Sequence, residues 1–199
     1  MKGIDVSENN GYVDWQAVKD DGYEFAIIRL GWGRSHLDSM FYENVNGALD
    51  VGLSIGVYYY SYALSDEMAG EEADFTYNIL EDCGLTPDTL EMGVWFDMED
   101  ADGYKERNGF TDPQELTNCC NVFLNRMEEY GYDNTGIYAN YDWLTNILYM
   151  EQIEADVWCA QYNYECDYPN AVMWQYSDCE YIAGKPYDAD EVIGTFSFQ

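Results

Sequence analysis

Two carboxylates two residues apart, Asp97 and Glu99, follow directly on the apolar run Val94-Trp95-Phe96 in the stretch MGVWFDMEDAD at 92–102. The run reads as a buried strand, and the i, i+2 spacing turns both acids to one face of an extended chain. At about 3.3 Å rise per residue their Cα atoms lie roughly 6 to 7 Å apart, close enough for the carboxyls to interact. One pKa then rises while the other stays low. A protonated acid for a leaving oxygen, with an anion beside a developing cation, is what cleavage of a glycosidic bond requires. Acids also end many strands simply because the chain has reached water. The three apolar residues before this pair, and the rest of the chain, weigh against that plainer reading.

The elements that must position the pair alternate strand and helix. Ile4–Val6 and Phe25–Leu30 are strands, with a helix Trp15–Asp20 capped by Asp14 between them. A helix over Phe41–Val51 closes at Gly52, and Ser54–Ala63 is the next strand. Ser65 caps a long helix through Cys83, with acids in its first turn and Gly84 just past its end. The central strand spans 92–97, and 100–110 reads as a polar loop. Asp112-Pro113-Gln114-Glu115 then supplies an N-cap, a first-turn proline and a capping-box acid. Leu116, Cys120, Phe123, Leu124 and Met127 form that helix's apolar stripe, which Gly131 ends. After a strand at Thr135–Ala139 and a short helical or turn segment around Trp143–Leu148, the pattern changes. Val157–Ala160, Val172–Tyr176 and a run around Tyr187–Val192 are strands with no room between them for full helices. Strands that carry helices, followed by three that do not, predict a single-domain α/β fold over 1–199, an irregular TIM-like (β/α)5β3 barrel. Active sites of such barrels form at the C-terminal strand ends, where Asp5, Asp97 and Glu99 fall.

The 199 residues suffice for one domain with a sizeable core, and no stretch approaches the ~18 apolar residues of a membrane helix. Against 39 Asp and Glu stand 8 Lys and Arg, a net charge of −31 spread along the chain. Such a field repels phosphate backbones and excludes nucleic acid as an expected partner. Its plainest reading is solubility in a salty or crowded medium. The 20 Tyr and 6 Trp offer flat apolar faces with a polar handle, suited to stacking on sugar rings, though most must be core. None of the six cysteines makes a C-x-x-C pair and the sole histidine, His36, has no metal-ligand partner at a standard spacing, so neither a metal nor a cofactor is expected. Neighbours Cys119 and Cys120 face different ways on a helix, so at least one is expected to be a buried free thiol. No signal peptide precedes the first strand.

Further polar residues take equivalent places. Asp5 follows the first strand; Tyr58, Tyr60 and Tyr62 share one face of the third; Tyr138 closes the fifth; Gln175 and Tyr176 lie on the penultimate strand and Asp188 begins the last. Together these acids and aromatics describe an acidic sugar cleft. At this point the sequence resembles the glycoside hydrolase family 25 lysozymes (muramidases). Gly3-Ile4-Asp5-Val6-Ser7 is similar to that family's opening GIDVS, Asp14-Trp15 to its DW, and Phe25-Ala26-Ile27-Ile28-Arg29 to its second strand. Gly56-Val57-Tyr58-Tyr59-Tyr60-Ser61 resembles GVYHYS, with Tyr59 where the family often has His, and Phe96-Asp97-Met98-Glu99 resembles its D-x-E. Gly136-Ile137-Tyr138, Trp158-Cys159-Ala160-Gln161-Tyr162 and Trp174-Gln175-Tyr176-Ser177 resemble its GIY, WxAxY and WQYS. The match is loosest at Tyr187-Asp188-Ala189-Asp190, where the family has a VDLN-like strand; Asp188 is assigned to the family's acid, with Asp190 as the competing register.

The resemblance implies cleavage of the β-1,4 bond between N-acetylmuramic acid and N-acetylglucosamine in peptidoglycan, by a protein outside the cell or at the wall, or by a phage lysin. Glycan strands are the expected partner, without membrane or nucleic acid, and a monomer is expected. Glu99, longer and nearer the mouth, is expected as general acid and then base, its pKa raised by Asp97. Asp97 orients the 2-acetamido group and stabilises a charged intermediate in a substrate-assisted reaction, or acts as direct nucleophile. Asp5 and Asp188 fix the pair's geometry and charge, and Tyr60, Tyr138, Tyr162 and Gln175 are the expected sugar contacts. A chitinase-like D-x-x-D-x-D-x-E would need acids at 92 and 95, which are Met92 and Trp95. A calcium loop of EF-hand type around Asp100–Gly103 would place Met98 and Gly109 at ligand positions, which excludes it. A wall-binding module without catalysis would be expected to lack the D-x-E carboxylates.

Overall fold

A computed structural model describes residues 1–198. Its sheet is a ring of eight strands. β1 (Lys2–Val6), β2 (Phe25–Trp32), β4 (Ser54–Tyr60), β5 (Val94–Asp97), β6 (Thr135–Asn140), β7 (Asp156–Ala160) and β8 (Ala171–Ile182) pair parallel in turn, and β1 pairs with β2. The ring is closed by β9 (Lys185–Val192), antiparallel to both β8 and β1. A two-residue strand, β3 (His36–Leu37), hangs on β2 outside the ring. Helices α1 (Trp15–Asp20), α2 (Phe41–Asp50), α3 (Asp66–Cys83) and α5 (Pro113–Glu129) follow β1, β2 with its β3 appendage, β4 and β5, and a π-helical turn at Trp143–Ile147 follows β6. This is the expected (β/α)5β3 barrel.

Strand alternation divides the core in two. Phe25, Ile27, Trp95, Trp158 and Met173 point into the barrel, with Phe196 below them. Ala26, Ile28, Ile55, Val57, Val94 and Phe96 point outward and join the apolar faces of the helices, among them Ala69, Ala73 and Leu80 of α3 and Leu116, Cys120 and Phe123 of α5. The interior rings are large, so their neighbours on the same layer must be small. A Cβ at Gly136 would stand 2.3 Å from the Trp95 ring, and one at Gly3 the same distance from Phe25. The glycines of the GIY and GIDVS segments are thus the space into which the barrel's plug fits.

Caps follow the sequence rules. Ser65 accepts the Met68 N–H at 3.2 Å, and Gly84 ends α3 in the left-handed region at φ 65°. Asp112 accepts the N–H groups of Gln114 and Glu115 ahead of Pro113 at the start of α5. Three features differ from the sequence reading. Strand β4 stops at Tyr60 rather than Ala63, and β8 runs on to Ile182, so the β8–β9 hairpin extends beyond the barrel mouth. Residues 100–110 are not wholly loop: Tyr104–Arg107 form one helical turn, α4. Its cause is local, since the Asp100 carboxylate accepts the N–H groups of Lys105 (2.7 Å) and Glu106 (2.9 Å) and starts the turn. All six cysteines are free thiols, and Cys119 and Cys120 are both buried. No helix among the described residues is long and apolar enough to cross a membrane.

Candidate active site

At the C-terminal ends of the parallel strands lies a cleft of about 280 Å³, walled by Asp5, Arg29, Tyr58, Tyr60, Asp97, Glu99, Tyr138, Gln175 and Asp188, among others. Each strand delivers its residue by parity. Trp95 points inward, so Asp97 and Glu99 two and four residues on do the same; Phe25 and Ile27 likewise bring Arg29 to the cleft. Asp188 comes from the first half of β9 rather than from a strand's end, because that strand runs the other way. Asp188 is paired directly opposite Asp5 on β1, which sets both acids in one layer.

Asp190 lies two residues deeper. It is fully buried, its Oδ1 accepts the Trp158 indole N–H at 2.9 Å, and it takes no part in the cleft wall. The competing registers are therefore separated by depth: Asp188 faces the opening and Asp190 the interior. Burial, then the charge of Asp5, holds the Asp190 carboxyl well above the ordinary range.

The other acids are also hard to ionise. Asp5 is raised by burial and by Asp188, and Asp97 by burial and by Glu99. Glu99 is raised as well, but here the cause expected from the sequence needs correction. Burial is what lifts it, and its hydrogen bond with Asp97 pulls it down. Of the two, Asp97 is the more deeply buried, so burial opposes its ionisation the more strongly.

Gln175 organises the opposite wall. Its Nε2 donates to Asp5 Oδ2 at 2.7 Å, and its Oε1 accepts the hydroxyls of Tyr138 (2.9 Å) and Tyr162 (3.0 Å). Gln175 thus links Tyr138 and Tyr162 to Asp5, and Gln175 and Tyr138 both line the cleft. Tyr138 also stacks edge-on to Trp158 at 4.4 Å between centroids. Of the tyrosines expected at the site, Tyr60 and Tyr138 line the cleft; Tyr162 stands on the rim, the residue 56% exposed, and reaches inward through its hydroxyl. Tyr62 lies past the end of β4 and packs against Tyr60 (5.2 Å) and Tyr104 (4.8 Å), prolonging an aromatic rim.

Residues absent from the expected set complete the wall. Arg29 Nε donates to Asp38 at 2.7 Å, and its guanidinium lies 4.7 Å from the Trp32 ring. Arg29 could have been found by extending the alternation of Phe25 and Ile27, and Trp158 by the same parity; Tyr58, expected on the cleft face of its strand, lines the cleft.

The raised carboxyls carry a consequence for stability. In the unfolded chain Asp and Glu titrate near pH 4. In the folded chain burial pushes Asp188 up to about 6 and Glu72, under β4, up to about 8. Between these limits the folded state binds more protons than the unfolded one, so stability is fullest below the window and declines as pH rises through it. The unfolding temperature at pH 5 is expected to exceed that at pH 8 by about 5 °C or more. Calorimetry at matched ionic strength checks the sign, and a higher unfolding temperature at pH 8 would contradict this account.

A closed barrel of mostly parallel strands with four carboxyls gathered at one mouth defines the class, an acid-lined enzyme barrel. The sequence pattern of the family "Glycosyl hydrolases family 25" matches residues 4–185, and the chain belongs to that family. It is 28% identical over 195 residues to the autolytic lysozyme of Clostridium acetobutylicum, a match covering 96% of this chain and 54% of that protein. It is 24% identical to Lysozyme M1 of Streptomyces globisporus, over 96% of this chain and 66% of the relative. The modular autolysin LytC of Streptococcus pneumoniae, solved with a synthetic peptidoglycan ligand, superposes with a TM-score of 0.84 at 25% identity, covering 95% of this chain and 46% of that one. The bacterial lysozyme of Streptomyces coelicolor shares the fold, with a TM-score of 0.78 at 20% identity over 98% of this chain and 93% of the other. The chain thus spans between about half and two thirds of the length of the two lysozymes it matches in sequence.

Proposed function

We propose that this chain is the catalytic domain of a peptidoglycan hydrolase, a muramidase that cleaves the β-1,4 bond between N-acetylmuramic acid and N-acetylglucosamine. The observation that carries the reading is the convergence of Asp5, Asp97, Glu99 and Asp188 on one cleft of a family 25 barrel. The names of the relatives, two lysozymes and an autolysin studied with a peptidoglycan ligand, agree with it. Its place of action is the cell wall, and glycan strands are its partner.

In this reading a glycan strand enters with the 2-acetamido group of one sugar beside Asp97. The acetamido N–H donates to the Asp97 carboxylate, and Glu99 is the protonated member of the pair. Glu99 then gives that proton to the glycosidic oxygen as the C1–O bond breaks. The acetamido oxygen closes on C1, and the Asp97 carboxylate faces the resulting cation. After the leaving chain departs, Glu99, now a carboxylate, takes a proton from water as the water oxygen attacks C1 and displaces the acetamido oxygen, which regains its amide form, and the original configuration is retained. Asp5 and Asp188 fix the geometry and charge of that pair, with Asp5 held in place by the Gln175 amide. Tyr60 and Tyr162 are the sugar contacts at the wall and rim.

Digestion of purified peptidoglycan, with the reducing ends of the products identified by mass spectrometry, tests the reading. Muramic acid ends are expected. Glucosamine ends would make the enzyme a glucosaminidase, and intact glycan would reduce the chain to a binding module.

A further inference from the structure

The chain has few cations, yet one of them is buried directly behind the acid pair. Lys105, from the single turn α4, is 1% exposed. Its Nζ donates to the carbonyl oxygen of Glu99 at 2.8 Å and to that of Ser61, past the end of β4, at 2.5 Å. An ammonium stripped of water at this depth persists only where it is held and compensated. The turn that carries it is pinned by Asp100, which follows Glu99 directly, so the segment 99–105 is folded back on itself and places the cation under the strand end.

We propose that Lys105 is a positioning residue of the acid pair, holding the Glu99 backbone from behind and supplying the positive charge that permits one of Asp97 and Glu99 to ionise inside the barrel. The proposal rests on the reading of that pair as the reaction's carboxyls.

The neighbours of Lys105 support this assignment. Glu72 faces it from α3, Asp97 from β5, Asp100 from the turn and the Cys120 thiol from α5. The two Glu72 oxygens already accept the Ser61 hydroxyl at 2.8 Å and the Tyr62 N–H at 2.9 Å, and burial raises the pKa of both Glu72 and the Cys120 thiol. Around the pair itself, Asp5 and Asp188 raise the cost of ionisation, and Arg29 lowers it for Asp97. Arg29 is already engaged by Asp38 at 2.7 Å and by Glu8 at 3.6 Å. Lys105 is the largest single charge working in favour of ionisation at both Asp97 and Glu99. Tyr58, Tyr60 and Tyr138, which also face the pair, stay neutral across the working range because burial raises all three.

The test compares the wild type with Lys105→Met and Lys105→Gln. Loss of a cation raises neighbouring carboxyl pKa values, so both limbs of the kcat/KM profile on peptidoglycan should move to higher pH by about one pH unit or more. Lys105→Gln retains a donor for the carbonyls, so it should show the same displacement with a smaller loss of kcat, and it serves alone if Lys105→Met does not fold. A second readout does not depend on cleavage: 13C NMR titration of labelled Asp and Glu carboxyls should show the buried pair titrating higher in the variants. That displacement in a protein whose wild type cuts no glycan would support the electrostatic role of Lys105 and overturn only the reading of the reaction. Folded variants with unmoved limbs and unmoved carboxyl titrations would overturn the proposal and leave Lys105 a structural prop.

Discussion

Glu99→Gln is expected to lose cleavage of peptidoglycan by about 10³-fold or more in kcat, because one side chain serves as acid in the first step and base in the second. KM should change little, since the amide keeps the shape of the carboxyl and the sugar contacts lie on other residues. Stability distinguishes this outcome from a folding defect. Burial makes the Glu99 carboxyl costly to ionise, so a neutral amide there removes a cost, and the variant should unfold at or above the wild-type temperature at pH 7. A variant that is inactive yet no less stable is the expected pair of results, read by reducing-end assay and calorimetry. Residual activity within about tenfold of wild type would transfer the acid's role to another carboxyl of the cleft.

Asp97→Asn should lower kcat by about 10² to 10³-fold, the usual cost of removing one group aimed at developing charge. Asparagine can still meet the acetamido group, but it offers no negative charge to the cation and cannot share a proton with Glu99. The acid limb of the pH profile should therefore change form in this variant as well as the rate falling. The two roles open to Asp97 make different chemical records. Direct attack at C1 would leave a glycosyl ester on Asp97, visible by mass spectrometry of the wild type quenched with a slow substrate. Substrate assistance leaves no such adduct and requires the 2-acetamido group, so a glycan lacking that group should not be cut. An Asp97→Asn enzyme with wild-type kcat would remove Asp97 from the reaction under either role.

Much of the barrel was legible because its determinants are short-range. Alternation placed Trp95, Asp97 and Glu99 on one face from their spacing alone, and the caps at Ser65, Gly84 and Asp112 depend on residues within one turn. What escaped the sequence depends on partners far along the chain. The direction of β9, which brings Asp188 to the mouth and leaves Asp190 below it, is set by pairing with β1 across nearly the whole sequence. Gln175 could be placed on its strand, but not its hydrogen bond to Asp5, whose partner lies at the other end of the chain. Lys105 read as part of a polar loop because a lone lysine among acids has the composition of a solvated segment, and only the Asp100 cap turns it inward. Likewise the cause of the raised Glu99 pKa was misassigned: spacing foretold the neighbouring charge, whereas burial depends on the whole ring.

The antiparallel closing strand also ties the timing of activity to the course of folding. Asp5 lies in the first strand to be synthesised, and its partner Gln175 is 170 residues away. Asp188, opposite it, belongs to the last strand. Contacts of such separation carry the largest loop-closure entropy and form late. A nascent chain that has already packed α3 against α5 would still have an open sheet edge and would lack Asp188 of its four-carboxyl cluster. Conversely, detachment of β9 alone would abolish turnover while most helical structure remained, so loss of activity would precede loss of helical signal during denaturation. The strand that completes the barrel thus acts as a maturation step encoded in chain order.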